Sequence, residues 1–260
     1  MVVADQSTSA CDVVFVVEGT ANLHAYFEYM KNSYILPTLE YFNGGPVVKY
    51  GDFGPKIGGN TFYSLVVYNT ADCAPNQSCI CTDPTTKAWK LLDSFDNIEF
   101  ISGAGEKFSL ISEGLGTALT LFDDMKSMRQ GHSTSVQVQK HCILICNSPP
   151  YPLPSQESFH YNGLTSEQLA AMLAERGIHL SILSPRKLPE LQKLYDKACG
   201  ELQIVATRDY ATDPRHMILL KGYQLAERTA ANITDAKEVA IVKPVPAVLL
   251  LPSQQQFHNH

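Results

Sequence analysis

No stretch of this sequence comes near the roughly twenty consecutive apolar residues that a membrane-spanning helix needs. Runs such as Val13–Val17 and Ala247–Leu251 fall far below that length. Positive charge is also in short supply. Lys and Arg number 20 against 26 Asp and Glu, and the resulting net charge of −6 argues against nonspecific nucleic-acid binding, which needs a basic footprint. The amino-terminal Met-Val-Val-Ala-Asp-Gln-Ser lacks the basic region and apolar core of a signal peptide, so secretion is not expected. The seven cysteines are odd in number, and Cys142 and Cys146 sit inside an apolar run, which fits a reducing compartment better than a disulfide framework. Nor is there an internal repeat. What is present, 260 residues with 45% hydrophobic and 18% charged side chains, suffices to bury a full core as one large domain or two small ones.

The order of patterns is regular. Asp12–Val17 is a continuous β-branched run, the mark of a strand buried on both faces. Leu23, Phe27, Met30, Tyr34 and Leu39 recur at helical spacing, with Pro37 expected to kink that helix or start a new turn. A second strand is expected over Thr61–Tyr68, a cysteine-bearing loop over residues 70–84, a short helix over Lys87–Phe95 and a short strand over Asn97–Ile101. A loop over Ser102–Phe108 precedes a long helix from Leu110 to about Arg129, and residues 130–139 read as polar linker. Strands over His141–Cys146, Ile178–Leu183 and His216–Leu220 alternate with helices capped by Thr165–Gln168 and spanning Leu188–Ala198.

Strands alternating with helices predict a doubly wound α/β fold, a mostly parallel central sheet flanked by helices. Ligands of such sheets bind beyond the carboxyl ends of the strands, where Glu18, Ser102–Ser109 and Asn147 are expected to converge. Residues 1–226 are expected to form this domain and 227–260 a poorly ordered tail or linker.

Several chemistries lack their signatures. Gly103–Ser109 has Glu106 between Gly105 and Lys107, so the order of a phosphate-binding loop is broken. Cys73, Cys79 and Cys81 have no fourth zinc ligand at the usual spacing. Ser109, Ser148, His24, His141 and His179 carry no nucleophile elbow, so no enzyme is expected. Ser184–Pro189 joins two prolines to Arg186 and Lys187 and reads either as a solvated connection or as part of a partner surface.

Seven stretches carry a family resemblance: DVVFVVEGTANL (12–23), LPTLEYFNGG (36–45), YSLVVYNTADCAP (63–75), ISEGLGTALTLFDDMKSMR (111–129), ILICNSPPY (143–151), ERGIHLSILSPRKLP (175–189) and DPRHMILLKG (213–222). They resemble von Willebrand factor type A domains, Rossmann-like in architecture, and more specifically the amino-terminal A domain of the Mediator subunit 25 family. The resemblance implies a noncatalytic interaction module of a transcriptional coactivator in the nucleus. Its partners would be other Mediator subunits and, indirectly, activators and RNA polymerase II, with no direct nucleic acid, membrane or cofactor. In that family a separate, more carboxyl-terminal domain contacts activators, so this chain is expected to be a piece of a longer protein.

Metal-binding A domains hold their ion with Asp-x-Ser-x-Ser after the first strand, a Thr before the third helix and an Asp after the fourth strand. The matching positions here are Glu18, Thr20, Asn22, Ser109 and Asn147, all departing from the pattern. One carboxylate is lengthened and another neutralised, which gives Mg²⁺ thin support. A degenerate site is expected, with Glu18 taking hydrogen bonds from hydroxyls and helix amides and with Thr20, Asn22 or Ser109 capping helices. The rival reading is a metal-dependent ligand-binding A domain using Glu18, Thr20 and Asn22. For the partner surface, the Pro-stiffened loops Ser148–Pro154 and Ser184–Pro189 offer Tyr151, Arg186 and Lys187.

Overall fold

A computed structural model of the chain describes residues 10–49, 61–130, 137–199 and 209–226. The expected tail from residue 227 and most of the expected linker at 130–139 lie outside the described residues. Strand β1 (Ala10–Glu18) is the spine. Its alternation sends Val13, Phe15 and Val17 to one layer and Val14 and Val16 to the other, all fully buried, as a strand covered on both faces requires. Strand β2 (Thr61–Tyr68) flanks it in parallel, with Glu18 opposite Tyr68. Strand β3 (Cys79–Cys81) lies antiparallel on the outer side of β2. On the other side β4 (Val138–Ile145) and β5 (Ile178–Ser184) continue the parallel pairing, and β6 (Met217–Leu219) closes the far edge antiparallel. The order is β3-β2-β1-β4-β5-β6, so the four central strands are parallel and both edges are short.

Helices α1 (Ala21–Met30), α2 (Leu36–Asn43) and α3 (Ala88–Asp96) bury Leu23, Phe27, Leu39, Leu91 and Phe95 against one face. Helices α4 (Ile111–Gln130), α5 (Ser166–Glu175) and α6 (Pro189–Cys199) bury Leu115, Leu119, Leu169, Leu173 and Leu191 against the other. At the end of α4, Arg129 reaches back to β1, its Nε 2.8 Å from Asp12 Oδ1 and its guanidinium 4.4 Å from the Phe62 ring. That pair ties the long helix to the start of the sheet.

Pro37 acts through the turn before it. Residues Lys31–Ile35 form a π turn in which the Leu36 N–H donates to the Lys31 carbonyl, five residues back. Proline has no N–H for the preceding turn and its ring crowds the carbonyl four residues earlier, and the wider turn relieves both. Thr165 and Gln168 form the reciprocal capping box at the start of α5, and Gly177 ends that helix at φ +65°, a conformation that favours glycine.

Two expectations need correction. Residues 97–101 are not a strand: Phe27 and His24 pack their rings on Phe100, and only Ser102 forms a bridge, to Thr20. The stretch 70–84 is not wholly loop, because Cys79–Cys81 forms the edge strand β3, a segment too short to show alternation in sequence. No described cysteine is in a disulfide. Among the described residues no helix is long and apolar enough to cross a membrane.

Candidate functional site

Strand β1 ends on Glu18 at the carboxyl edge of the sheet, and its side chain is fully buried. An isolated carboxylate there would be costly unless hydrogen-bonded. Glu18 is hydrogen-bonded fourfold. Oε1 accepts from the Thr20 hydroxyl at 2.5 Å and the Ser148 hydroxyl at 2.6 Å. Oε2 accepts from the backbone N–H groups of Asn147 at 2.6 Å and Ser148 at 3.0 Å. Two acceptor oxygens with about four lone-pair sites are thereby committed. Thr20 occupies the N-cap position of α1, yet its hydroxyl serves Glu18 instead of the helix amides. Gly19, between them, lacks a Cβ because one would sit 2.6 Å from Val67 and 2.8 Å from Asn69. That glycine is there for the close approach of the neighbouring strand and loop.

Asn147 spends every polar group it has. Its N–H goes to Glu18, and Nδ2 donates to the Asn22 carbonyl at 2.5 Å. Its Oδ1 accepts from Arg186 Nε at 2.6 Å, and its carbonyl accepts from the same guanidinium. Asn22 closes the ring, donating to the Ser148 hydroxyl at 3.1 Å and to the Glu106 carbonyl at 3.2 Å. Below Glu18, burial raises the Tyr68 hydroxyl and the Cys146 thiol well above their ordinary values, with the Glu18 charge adding to it, so both stay protonated.

The structure thus brings together Glu18, Thr20, Asn22 and Asn147 as the sequence pattern suggests. Ser109 is adjacent and fully buried, but it joins by its backbone: its N–H donates to Pro149 and its carbonyl accepts from Tyr151. Arg186 is a strut across Asn147, while Tyr151 is half-buried and Lys187 exposed. Sequence reasoning passed over Ser148 as a carboxylate partner, although its place directly after Asn147 at the end of β4 was the available signal. It also passed over Phe108, whose ring meets Tyr151 edge-on at 5.9 Å, and over Leu153, about half exposed. His141 and His179, weighed as bases, sit opposite one another in the register of β4 and β5 and pack ring to ring at 5.1 Å.

This donor set does not fit a divalent ion. Mg²⁺ needs near-octahedral oxygens and is usually tied by one or two carboxylates. Here the single carboxylate has its oxygens filled by hydrogen-bond donors, and a fixed guanidinium is bound to the neighbouring residue. Among the described residues no group of three or more His, Cys, Asp or Glu side chains could hold a metal ion.

The parallel sheet wrapped by helices on both faces, with its polar cluster at the strand ends after β1 and β4, defines an α/β domain of the von Willebrand factor type A class. The profile of one family within that class, described as Mediator complex subunit 25 von Willebrand factor type A, matches residues 7–223, and the chain belongs to that family. Proteins named Mediator of RNA polymerase II transcription subunit 25 are similar along the chain. That of Xenopus laevis is 51% identical over 241 residues, covering 91% of this chain and 30% of that protein. That of Homo sapiens is 52% identical over 217 residues, covering 82% and 28%. That of Arabidopsis thaliana is 26% identical over 210 residues, covering 73% and 24%. The chain therefore spans about a third or less of the length of these curated relatives. Among solved structures, the SpRpn10 VWA domain aligns with a TM-score of 0.46 at 12% identity, covering 73% of this chain and 82% of that one.

Proposed function

We propose that this chain is a noncatalytic docking module that attaches its subunit to other Mediator subunits in the nucleus, and does so without a divalent ion. Membership of the Mediator subunit 25 family supports the class of partner. The mode of binding rests on one observation, the fourfold hydrogen-bonded Glu18, which leaves no carboxylate oxygen for an ion that a partner's acidic group would complete. Binding then comes from surface complementarity, which for a stable contact takes roughly 800 Å² per partner around a few aromatic or basic anchors. The strand-end face offers Tyr151, Phe108, Leu153 and Lys187, with Arg186 bracing the loop that carries the first of them. Activators and RNA polymerase II are reached indirectly, through the rest of the complex. Residues 1–226 supply the module and 227–260 a tail or linker.

Affinity capture from nuclear extract on the immobilised chain tests this. Mediator subunits should be enriched over an inert control, and Tyr151→Ala should reduce the yield with little change in melting temperature. Capture at the level of the control would overturn the proposal.

A further inference from the structure

Eight to ten residues after Asn147, where Glu18's partner loop begins, the chain is still being held in place, and a second buried carboxylate does the holding. Glu113, in the first turn of α4, is 4% exposed. Its Oε2 accepts from the Ser155 hydroxyl at 2.8 Å, and its Oε1 accepts from the Gln156 N–H at 2.5 Å. The Glu157 N–H lies 3.2 and 3.3 Å from the two oxygens. Two hydrogen bonds between Ser155 and the Gly163–Leu164 turn complete that end, and the Glu157 carboxylate accepts from the Ser78 hydroxyl. At the opposite end Glu18 holds the N–H groups of Asn147 and Ser148. Between them the Ser109 backbone bonds to Pro149 and Tyr151.

The segment from 147 to 157 is therefore tied down everywhere except Pro152, Leu153 and Pro154. Two of those three are prolines, whose ring fixes φ, so the free tip has little freedom of its own. Leu153 stands 51% exposed there, and Phe108, 40% exposed, backs Tyr151 from the neighbouring loop. An apolar side chain held out on a rigid tip is the arrangement that lowers the ordering cost of association.

We infer that Glu113 is a positioning residue for docking: with Glu18 it pins the 147–157 segment so that Leu153 and Tyr151 are presented in one fixed geometry to an apolar surface of a partner protein. This rests on the proposed docking role, and it adds a residue remote from the contact surface that sets how well the surface binds. Each carboxylate acts on a different end, so neither replaces the other.

The test uses the 260-residue chain as wild type, Glu113→Gln, Leu153→Ala and the double variant, together with the milder Ser155→Ala. Backbone hydrogen exchange at Gln156 and Glu157 should rise at least about tenfold in Glu113→Gln while the β1 and β4 amides keep their protection. Retention of Mediator subunits from nuclear extract should fall by about tenfold in Glu113→Gln and by less in Ser155→Ala. The decisive readout is coupling. Glu113 is not a contact residue, yet Leu153→Ala should lose far less binding in the Glu113→Gln background than in the wild type, because the tip is already unfixed. A residue that merely stabilises the fold would give independent, additive losses, and additive losses would overturn the inference. Unchanged exchange at 156 and 157 would overturn it as well. Failure of the wild-type chain to retain Mediator subunits would instead strike the docking role itself, leaving the exchange result to decide whether Glu113 pins the loop.

Discussion

Arg186 Nε lies 2.6 Å from Asn147 Oδ1, and the same guanidinium also takes the Asn147 carbonyl, so a fixed cation is forked onto a residue two positions beyond the end of β4. A planar guanidinium can make both bonds at once, whereas an ammonium cannot reproduce the fork. Arg186→Ala should lower stability by about 2 kcal/mol, the scale of hydrogen bonds to a charged group, which for a domain of this size is a fall of about 4–8 °C in melting temperature. Arg186→Lys should recover less than half of that. Thermal denaturation of the three proteins decides it, and a Lys variant as stable as the wild type would contradict the forked role.

The Thr20 and Ser148 hydroxyls share one oxygen of Glu18. Thr20→Val and Ser148→Ala should each destabilise by about 1–3 kcal/mol, since each leaves the buried carboxylate short of a donor. Ser148→Ala should be the more damaging, because its hydroxyl also accepts from Asn22. The double variant should differ from the sum of the singles, as expected for groups sharing a partner. Denaturant unfolding measures all three.

Asn147→Asp, the substitution that brings the site nearer to a metal-binding A domain, should fail on its own. The Asn147 amide donates to the Asn22 carbonyl at 2.5 Å, and a carboxylate oxygen there would face an acceptor. Calorimetric titration with Mg²⁺ and Mn²⁺ should show no binding by the wild type or by this single variant. Measurable Mg²⁺ affinity should require Glu18→Asp, Thr20→Ser, Asn22→Ser, Ser109→Thr and Asn147→Asp together with removal of the Arg186 cation. Tight binding by the wild type would mean that the hydrogen bonds around Glu18 yield to an ion.

Burial, with His179 opposite it, lowers the His141 imidazole to about 4. Phe42, Tyr223 and the Lys221 backbone pack around the pair. The ordinary value is about 6.5, so below that pH the unfolded chain binds a proton that the folded one refuses. The stability contributed by neutral His141 is therefore full above about 6.5 and erodes as pH falls toward 4, by about 1.4 kcal/mol per pH unit and on the order of 3 kcal/mol in all. His141→Leu should flatten that part of the pH–stability curve, read by denaturant unfolding between pH 7 and 4. An unchanged slope would assign the acid sensitivity to other groups.

How much of this was legible beforehand follows from the range of the interactions. The β1, β2 and β5 runs and the Thr165 capping box could be read because periodicity and caps are local, set within a few residues. The cluster of Glu18, Thr20, Asn22 and Asn147 could be read because three members lie within five residues and the fourth ends a recognisable strand. Glu113 could not: its partners are 42 to 44 residues away, and in sequence it is one more acid in the first turn of a helix. The role of Arg186 was hidden for the same reason, since its partner lies 39 residues back and an exposed Arg-Lys pair between prolines reads as a free tip. The three-residue β3 was hidden because its pairing with β2, and not its own residues, makes it a strand.

The central claim is that this module holds its partners without a divalent ion, and the most direct measurement is capture of Mediator subunits from nuclear extract on the immobilised chain in parallel buffers containing Mg²⁺ or a chelator. Equal yields in the two buffers, with a sharp drop for Tyr151→Ala in both, are the predicted result. Loss of the subunits in chelator and their return on adding Mg²⁺ would contradict it and restore the metal-dependent mode of binding at Glu18, Thr20 and Asn22.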